Sequence, residues 1–138
     1  MKITRQASAV WKGSGKEGKG TLTTASKVLD ETPYAFNTRF EDGKGTNPEE
    51  LLGAAHAGCF AMQLSFLLSE KAFVPETLDV KAKVTLEDGG ITHILLQLQA
   101  DVPHIKSHQF EEIAMHAKEI CPVSKLFDTT IDLEIHLE

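Results

Sequence analysis

Cysteine is scarce in this chain, with two among 138 residues, Cys59 and Cys121. A domain of this length buries enough apolar surface to hold together without disulfide staples. The opening MKITRQASAVW lacks the apolar core of a secretory leader. The cytoplasm is therefore the expected setting, where two cysteines are more readily free, metal-bound or catalytic than locked in a permanent bridge. Positive charge is in deficit as well. Lys and Arg number 14 against 20 Asp and Glu, a formal charge of −6. That balance argues against nucleic acid, which wants a basic face, and against electrostatic docking to anionic lipid. Several ordered motifs are also absent. The glycine run between Lys12 and Gly20 does not read GxxxxGK[ST], so it is expected to be a hairpin turn rather than a phosphate cradle. His56 and Cys59 stand three apart and His104 and His108 four apart, but neither pair has a matched second pair such as CxxC or HExxH. His93, His116 and His136 fall on polar faces, and no metal site is expected.

What the chain does have is one long apolar stretch, TNPEELLGAAHAGCFAMQLSFLLSEKAF, from Thr46 to Phe73. Asn47 suits a helix cap, Pro48 the first helical position, and Glu50 the position three residues after the cap. Glu49 and Glu50 also suit the positive end of the helix dipole. From Leu51 to Leu68 nearly every side chain is apolar or small, which predicts a central helix buried on nearly all sides. A membrane span is the alternative. The stretch covers roughly 27 Å, barely a bilayer core, without basic flanks or an aromatic belt. In so small a protein a second copy of the chain is the simplest cover for such a helix, so a homodimer is expected.

Around that helix the pattern is one of strands. Ile3–Trp11 and Thr21–Leu29 are expected as a first hairpin, and Pro33–Phe40 as a short extended segment ending near Arg39. Leu78–Leu86 and Ile91–Val102 alternate cleanly about Glu87-Asp88-Gly89-Gly90, the strongest hairpin signal present. Phe110, Ile113, Ala114, Ala117 and Ile120 recur at helical spacing behind a capping Ser107, and Thr129–Leu137 closes the chain as a strand. The sum is an α+β fold in a single domain over 1–138. It has a mainly antiparallel sheet, the long apolar central helix and a second, amphipathic helix.

The two cysteines occupy different settings. Cys59 lies within the apolar helix, where a thiol is ordinarily an inert small hydrophobe. Cys121 precedes Pro122, hence sits at a helix end or at a break between two short helices, where a thiol is chemically adjustable. A redox pair is one reading. A Cys–His hydrolase built from Cys59 and His56 is a second, and a non-catalytic stress or ligand-binding protein is a third. Taken alone, Arg39 and Glu49 read as a loop charge and a compensated helix dipole.

The run PYAFNTRFEDGKGTNPEELLGAAHAGCFAMQLS (33–65), together with AKEICPVSKL (117–126), closely resembles the OsmC/Ohr family of organic hydroperoxide reductases, its OsmC branch above all. The likeness spans the chain in length and element order. The one departure is minor: Gly58 stands beside the cysteine where the family commonly has alanine. The resemblance implies a thiol-dependent peroxidase working as an intertwined homodimer with sites at the subunit interface. Cys59 would be the peroxidatic cysteine, Cys121 the resolving one, Arg39 the stabiliser of the thiolate, and Glu49 the residue orienting Arg39. It implies an organic hydroperoxide substrate, an external dithiol reductant, of lipoyl type for example, and no haem, flavin or metal.

Overall fold

Alternating apolar and polar residues, broken by glycine-rich turns, set out most of the strands. The computed structural model describes all residues from Met1 to Glu138. The order is β1 (Ala7–Lys12), β2 (Lys19–Thr24), β3 (Thr32–Tyr34), α1 (Phe36–Phe40), α2 (Pro48–Glu70), β4 (Thr77–Glu87), β5 (Gly90–Asp101), α3 (Ser107–Ile120), α4 (Pro122–Leu126) and β6 (Thr130–Leu137). The chain divides into two compact units, Met1–Leu51 and Leu52–Glu138.

In the first unit β1, β2 and β3 form an antiparallel sheet in that order. The glycine-rich run makes the β1–β2 connection as expected, and Gly20 is required where it stands. A Cβ there would meet Trp11 Cε3 and Tyr34 Cε1 at 2.5 Å each, because those two rings pack across it with centroids 5.3 Å apart. The segment after β3 differs from expectation. Arg39 lies on the short helix α1, not on an extended strand. The Thr38 hydroxyl accepts from the Ala35 amide at 2.8 Å and donates to the Ala35 carbonyl at 2.9 Å, closing the turn locally. Such side chain to backbone bonding competes with extended structure. The following loop turns at Gly45, whose φ of +135° only glycine adopts readily.

The second unit is built on β5. It sits between β4, antiparallel, and β6, parallel. The β4–β5 turn places Asp88 at φ 48° and Gly89 at φ 81°, the two positive φ values of the hairpin turn that Asp-Gly favours. Three of the four strand ladders are therefore antiparallel, as expected, but β6 is not. A parallel neighbour requires a long crossover, and α3 and α4 supply it.

Packed on this sheet, α2 buries Phe60, Leu64 and Leu68, four residues apart, among Ile94, Leu96, Leu98 and Ala100 of β5 and Phe110, Ile113, Ala114 and Ala117 of α3. Each fully buried side chain of this size contributes roughly 1.5–3 kcal/mol. By length and composition α2 could cross a membrane, yet this stripe is spent on the sheet. Within one chain the helix is nevertheless not buried all round. Ala54, Ala55, Gly58, Met62 and Phe66 form an exposed stripe, with Met62 and Phe66 64% and 62% exposed. The sequence predicts burial on nearly all sides, and a single copy provides it on one. Helix α3 is capped differently from expectation too. Lys106 occupies the cap position without a side-chain bond, and Ser107 is the first helical residue.

Candidate active site

The residues singled out from sequence gather into two groups, one in each unit.

In the first unit Asn47 caps α2 as expected. Its Oδ1 accepts from the Glu50 amide at 2.7 Å, while its Nδ2 donates to the Thr38 carbonyl at 3.1 Å. That second bond ties the α1 turn to the start of α2, and Thr38 is a residue that sequence reasoning passed over. The tie aligns Arg39 with Glu49. Arg39 Nε donates to Glu49 Oε1 at 2.8 Å, and its Cζ lies 5.2 Å from the centre of the Phe40 ring. The side chains are 40% and 12% exposed respectively. Glu49 is thus fixed and nearly covered, and it holds the guanidinium by one nitrogen, Nε. A guanidinium stays charged throughout the physiological range.

In the second unit α2 and the α3–α4 corner bring the two cysteines together, although 62 positions separate them in sequence. Cys121 ends α3 and opens α4, with φ −56° and ψ 123° between two helical runs. Pro122 accounts for that break, since its ring and missing N–H forbid a continuous helix. Cys121 is fully buried, and no disulfide joins it to Cys59. Cys59 is half-buried. Burial pushes its thiol above the ordinary range, the Cys121 side chain, within hydrogen-bonding reach, pushes it further, and the Val123 backbone amide pulls it partly back. Both neighbours come from the α3–α4 corner, so one backbone turn delivers the second thiol and an amide to the first.

His56 lies three residues before Cys59 and heads the buried stripe His56, Phe60, Leu64, Leu68. Its Nε2 shares a hydrogen bond with Ser124 Oγ at 2.7 Å, its ring meets Phe127 edge-on at 5.4 Å, and its Nδ1 is buried without a partner. Burial lowers its basicity, so the imidazole is held neutral. The ring's one hydrogen bond goes to Ser124 rather than to Cys59, so no Cys59–His56 hydrolase pair is formed. Ser124 had no signal of its own in the sequence. Only its position, three residues after Cys121 as His56 is three before Cys59, could have singled it out.

The arrangement can support dithiol–disulfide chemistry, given a way to ionise Cys59. Relatives are known over the whole length of the chain. Residues 41–136 match the family described as OsmC-like protein. The chain is 48% identical to peroxiredoxin OsmC of Escherichia coli, covering 100% of this chain and 99% of that one. It is 28% identical to organic hydroperoxide resistance protein OhrB of Bacillus subtilis, over 86% of this chain and 89% of that one. The crystal structure of OhrB superposes with a TM-score of 0.68, at 26% identity, over 96% of this chain and 98% of that one.

Proposed function

The chain belongs to the OsmC-like protein family and is a peroxidase of stress defence, and we propose that it reduces organic hydroperoxides through Cys59 and Cys121. The observation that carries this reading is the meeting of the two thiols at the α3–α4 corner. Cys59 thiolate attacks the distal peroxide oxygen, the O–O bond breaks, the alcohol leaves with a proton, and Cys59 becomes a sulfenic acid. Cys121 sulfur then attacks the Cys59 sulfur. The S–O bond breaks, the hydroxyl departs as water with the Cys121 proton, and a disulfide remains. An external dithiol, of lipoyl type for example, restores both thiols by exchange. The cycle as proposed calls on no haem, flavin or metal, and it suits the cytoplasm, where dithiol donors are maintained.

Attack requires a thiolate, and the surroundings of Cys59 in its own unit oppose one. The cation proposed for the task is Arg39, held by Glu49. The reading joins Arg39 and Glu49 of one copy with Cys59 and Cys121 of another, in an intertwined homodimer. The exposed apolar stripe of α2 supports the same conclusion, because a monomer would leave it in water. Ala55 and Met62, four residues before and three after Cys59 on the same helix face, offer an apolar wall that suits organic hydroperoxides better than hydrogen peroxide.

The test is peroxide consumption with a dithiol donor, comparing cumene hydroperoxide with hydrogen peroxide. Faster turnover of the organic peroxide, abolished in Cys59→Ser, is the expected result. Turnover that persists in Cys59→Ser would end the reading.

A further inference from the structure

The bond between His56 and Ser124 has no part in the cycle as written, yet it joins the same two elements that carry the cysteines. On α2, His56 precedes Cys59 by three residues. On the α3–α4 corner, Ser124 follows Cys121 by three. The four side chains thus form two rungs between the same pair of backbones. One rung is the 2.7 Å hydrogen bond, fully buried on the His56 side, and the other is the pair of thiols. His56 also meets Phe127, the residue that ends α4, edge-on at 5.4 Å. One imidazole therefore holds the five-residue helix α4 at its middle and at its end.

Such a pair is a poor device for stability alone. His56 Nδ1 is buried with no partner in either tautomer, and an unpaired buried polar atom costs the fold free energy that an apolar side chain would not. What the pair offers instead is direction. A hydrogen bond fixes α4 along one line, whereas apolar packing tolerates sliding and repacking. Helix α4 needs fixing because it is too short to be stable by its own backbone bonds. Disulfide formation is correspondingly demanding, since it accepts Cα separations of only about 4.4–6.8 Å and a restricted dihedral.

We propose that His56 and Ser124 are positioning residues for the resolving step: they hold the α3–α4 corner so that Cys121 sulfur stands in line behind the Cys59 S–O bond. This rests on the peroxidase reading above. His56 touches neither substrate nor sulfur in the reaction, and it acts through α4. Without the bond, attack on peroxide proceeds, but the sulfenic acid waits longer for Cys121 and a second peroxide oxidises it to sulfinic acid.

The experiment is stopped-flow reaction of the reduced protein with cumene hydroperoxide. Sulfenic acid formation and disulfide formation are followed separately, and the sulfinic fraction is measured by mass against peroxide excess. Ser124→Ala and His56→Leu should leave the first step within about twofold and slow the second by about ten- to a hundredfold, the scale on which small misplacements act. The sulfinic fraction should rise in step. Ser124→Thr, which keeps the hydroxyl, should restore most of the resolving rate. Disulfide formation at the wild-type rate in both Ser124→Ala and His56→Leu would overturn the proposal. So would an equal slowing of both steps that follows the melting temperature, since the pair would then be merely structural. Wild-type protein that consumes peroxide without linking Cys59 to Cys121 would instead overturn the disulfide cycle itself, an outcome visible before any variant is made.

Discussion

Replacing Arg39 by alanine separates the chemistry of this protein from its stability. The Arg39–Glu49 bond is short at 2.8 Å, but the arginine side chain is 40% exposed. Solvent screening leaves such a pair worth at most about 1 kcal/mol, so the melting temperature of Arg39→Ala should fall by a few degrees at most. The effect on rate is of another order. Burial and Cys121 already drive Cys59 toward the protonated form, and an adjacent opposite charge typically moves a titration by about one to three units. Each unit lost is about a tenfold smaller thiolate fraction at neutral pH. Peroxidase activity of Arg39→Ala at pH 7 should therefore fall by at least about tenfold and recover as the pH is raised, because alkali restores the thiolate that the cation no longer favours. Arg39→Lys should recover only part of the loss, since an ammonium has no fork with which to hold Glu49 and still face a sulfur. Glu49→Gln should be milder again, leaving the cation present but loosely aimed. The assay is the rate of cumene hydroperoxide consumption from pH 5 to 10 for wild type and the three variants, with thermal melts alongside. An Arg39→Ala enzyme with unchanged rate and unchanged pH profile would refute the role of the cation, and with it the account of how Cys59 becomes reactive.

Four further outcomes are expected. One equivalent of organic hydroperoxide should link Cys59 to Cys121 within a single chain, as read by non-reducing peptide mapping, and a bridge exclusively between chains would contradict this. Phe66→Glu, on the exposed stripe of α2, should convert a sedimenting dimer to monomer and abolish turnover, while the wild type should unfold at a midpoint that rises with protein concentration. Leu64→Ala, in the fully buried stripe, should cost about 2–5 kcal/mol in urea unfolding. His56 is held neutral by burial, whereas the unfolded imidazole takes a proton at about 6.5. Stability should thus be complete above that pH and decline below it, as the unfolded chain binds the proton first. The decline should flatten in His56→Leu when the two are compared by urea melts between pH 8 and 5.

How far the sequence could be read depended on whether its signals were local. The β4–β5 hairpin was legible because alternation and an Asp-Gly turn lie side by side in the chain, and the start of α2 because Asn47, Pro48 and Glu50 are neighbours. The parallel pairing of β6 with β5 was not, since strand direction is decided by the crossover and leaves no mark on the alternation of Ile131, Leu133 and Ile135. Arg39 on a helix was missed because Thr38 sets that turn through two bonds to Ala35, against an extended-looking composition. Apolar side chains all round α2 were read as burial all round, but composition reports only that a surface avoids water. Whether the second cover comes from the same chain or another copy is not written in a single helix. The resemblance drawn from 33–65 and 117–126 supplied candidate roles for Cys59, Cys121, Arg39 and Glu49 that periodicity could not. It said nothing of His56 or Ser124.

Which cysteine meets the peroxide is likewise a question that spacing leaves open and burial addresses. The two thiols are chemically alike and lie against each other, so either sulfur could in principle be oxidised first. Cys121 is 0% exposed, walled in by the α3–α4 corner, while Cys59 is half-open. A peroxide must bring its distal oxygen into line with the attacking sulfur, which requires free space on the far side of that sulfur. Cys59, partly exposed, is open to such an approach, and Cys121, fully buried, is not. The buried thiol is in turn the one protected from over-oxidation while it waits. Burial that would make Cys121 a poor first nucleophile thus makes it a good second one, and the same corner that shields it supplies the Val123 amide that favours the Cys59 thiolate. In the proposed cycle the division of labour between the cysteines would be a property of one backbone turn, the break that Pro122 makes between α3 and α4 and that Ser124 is proposed to hold.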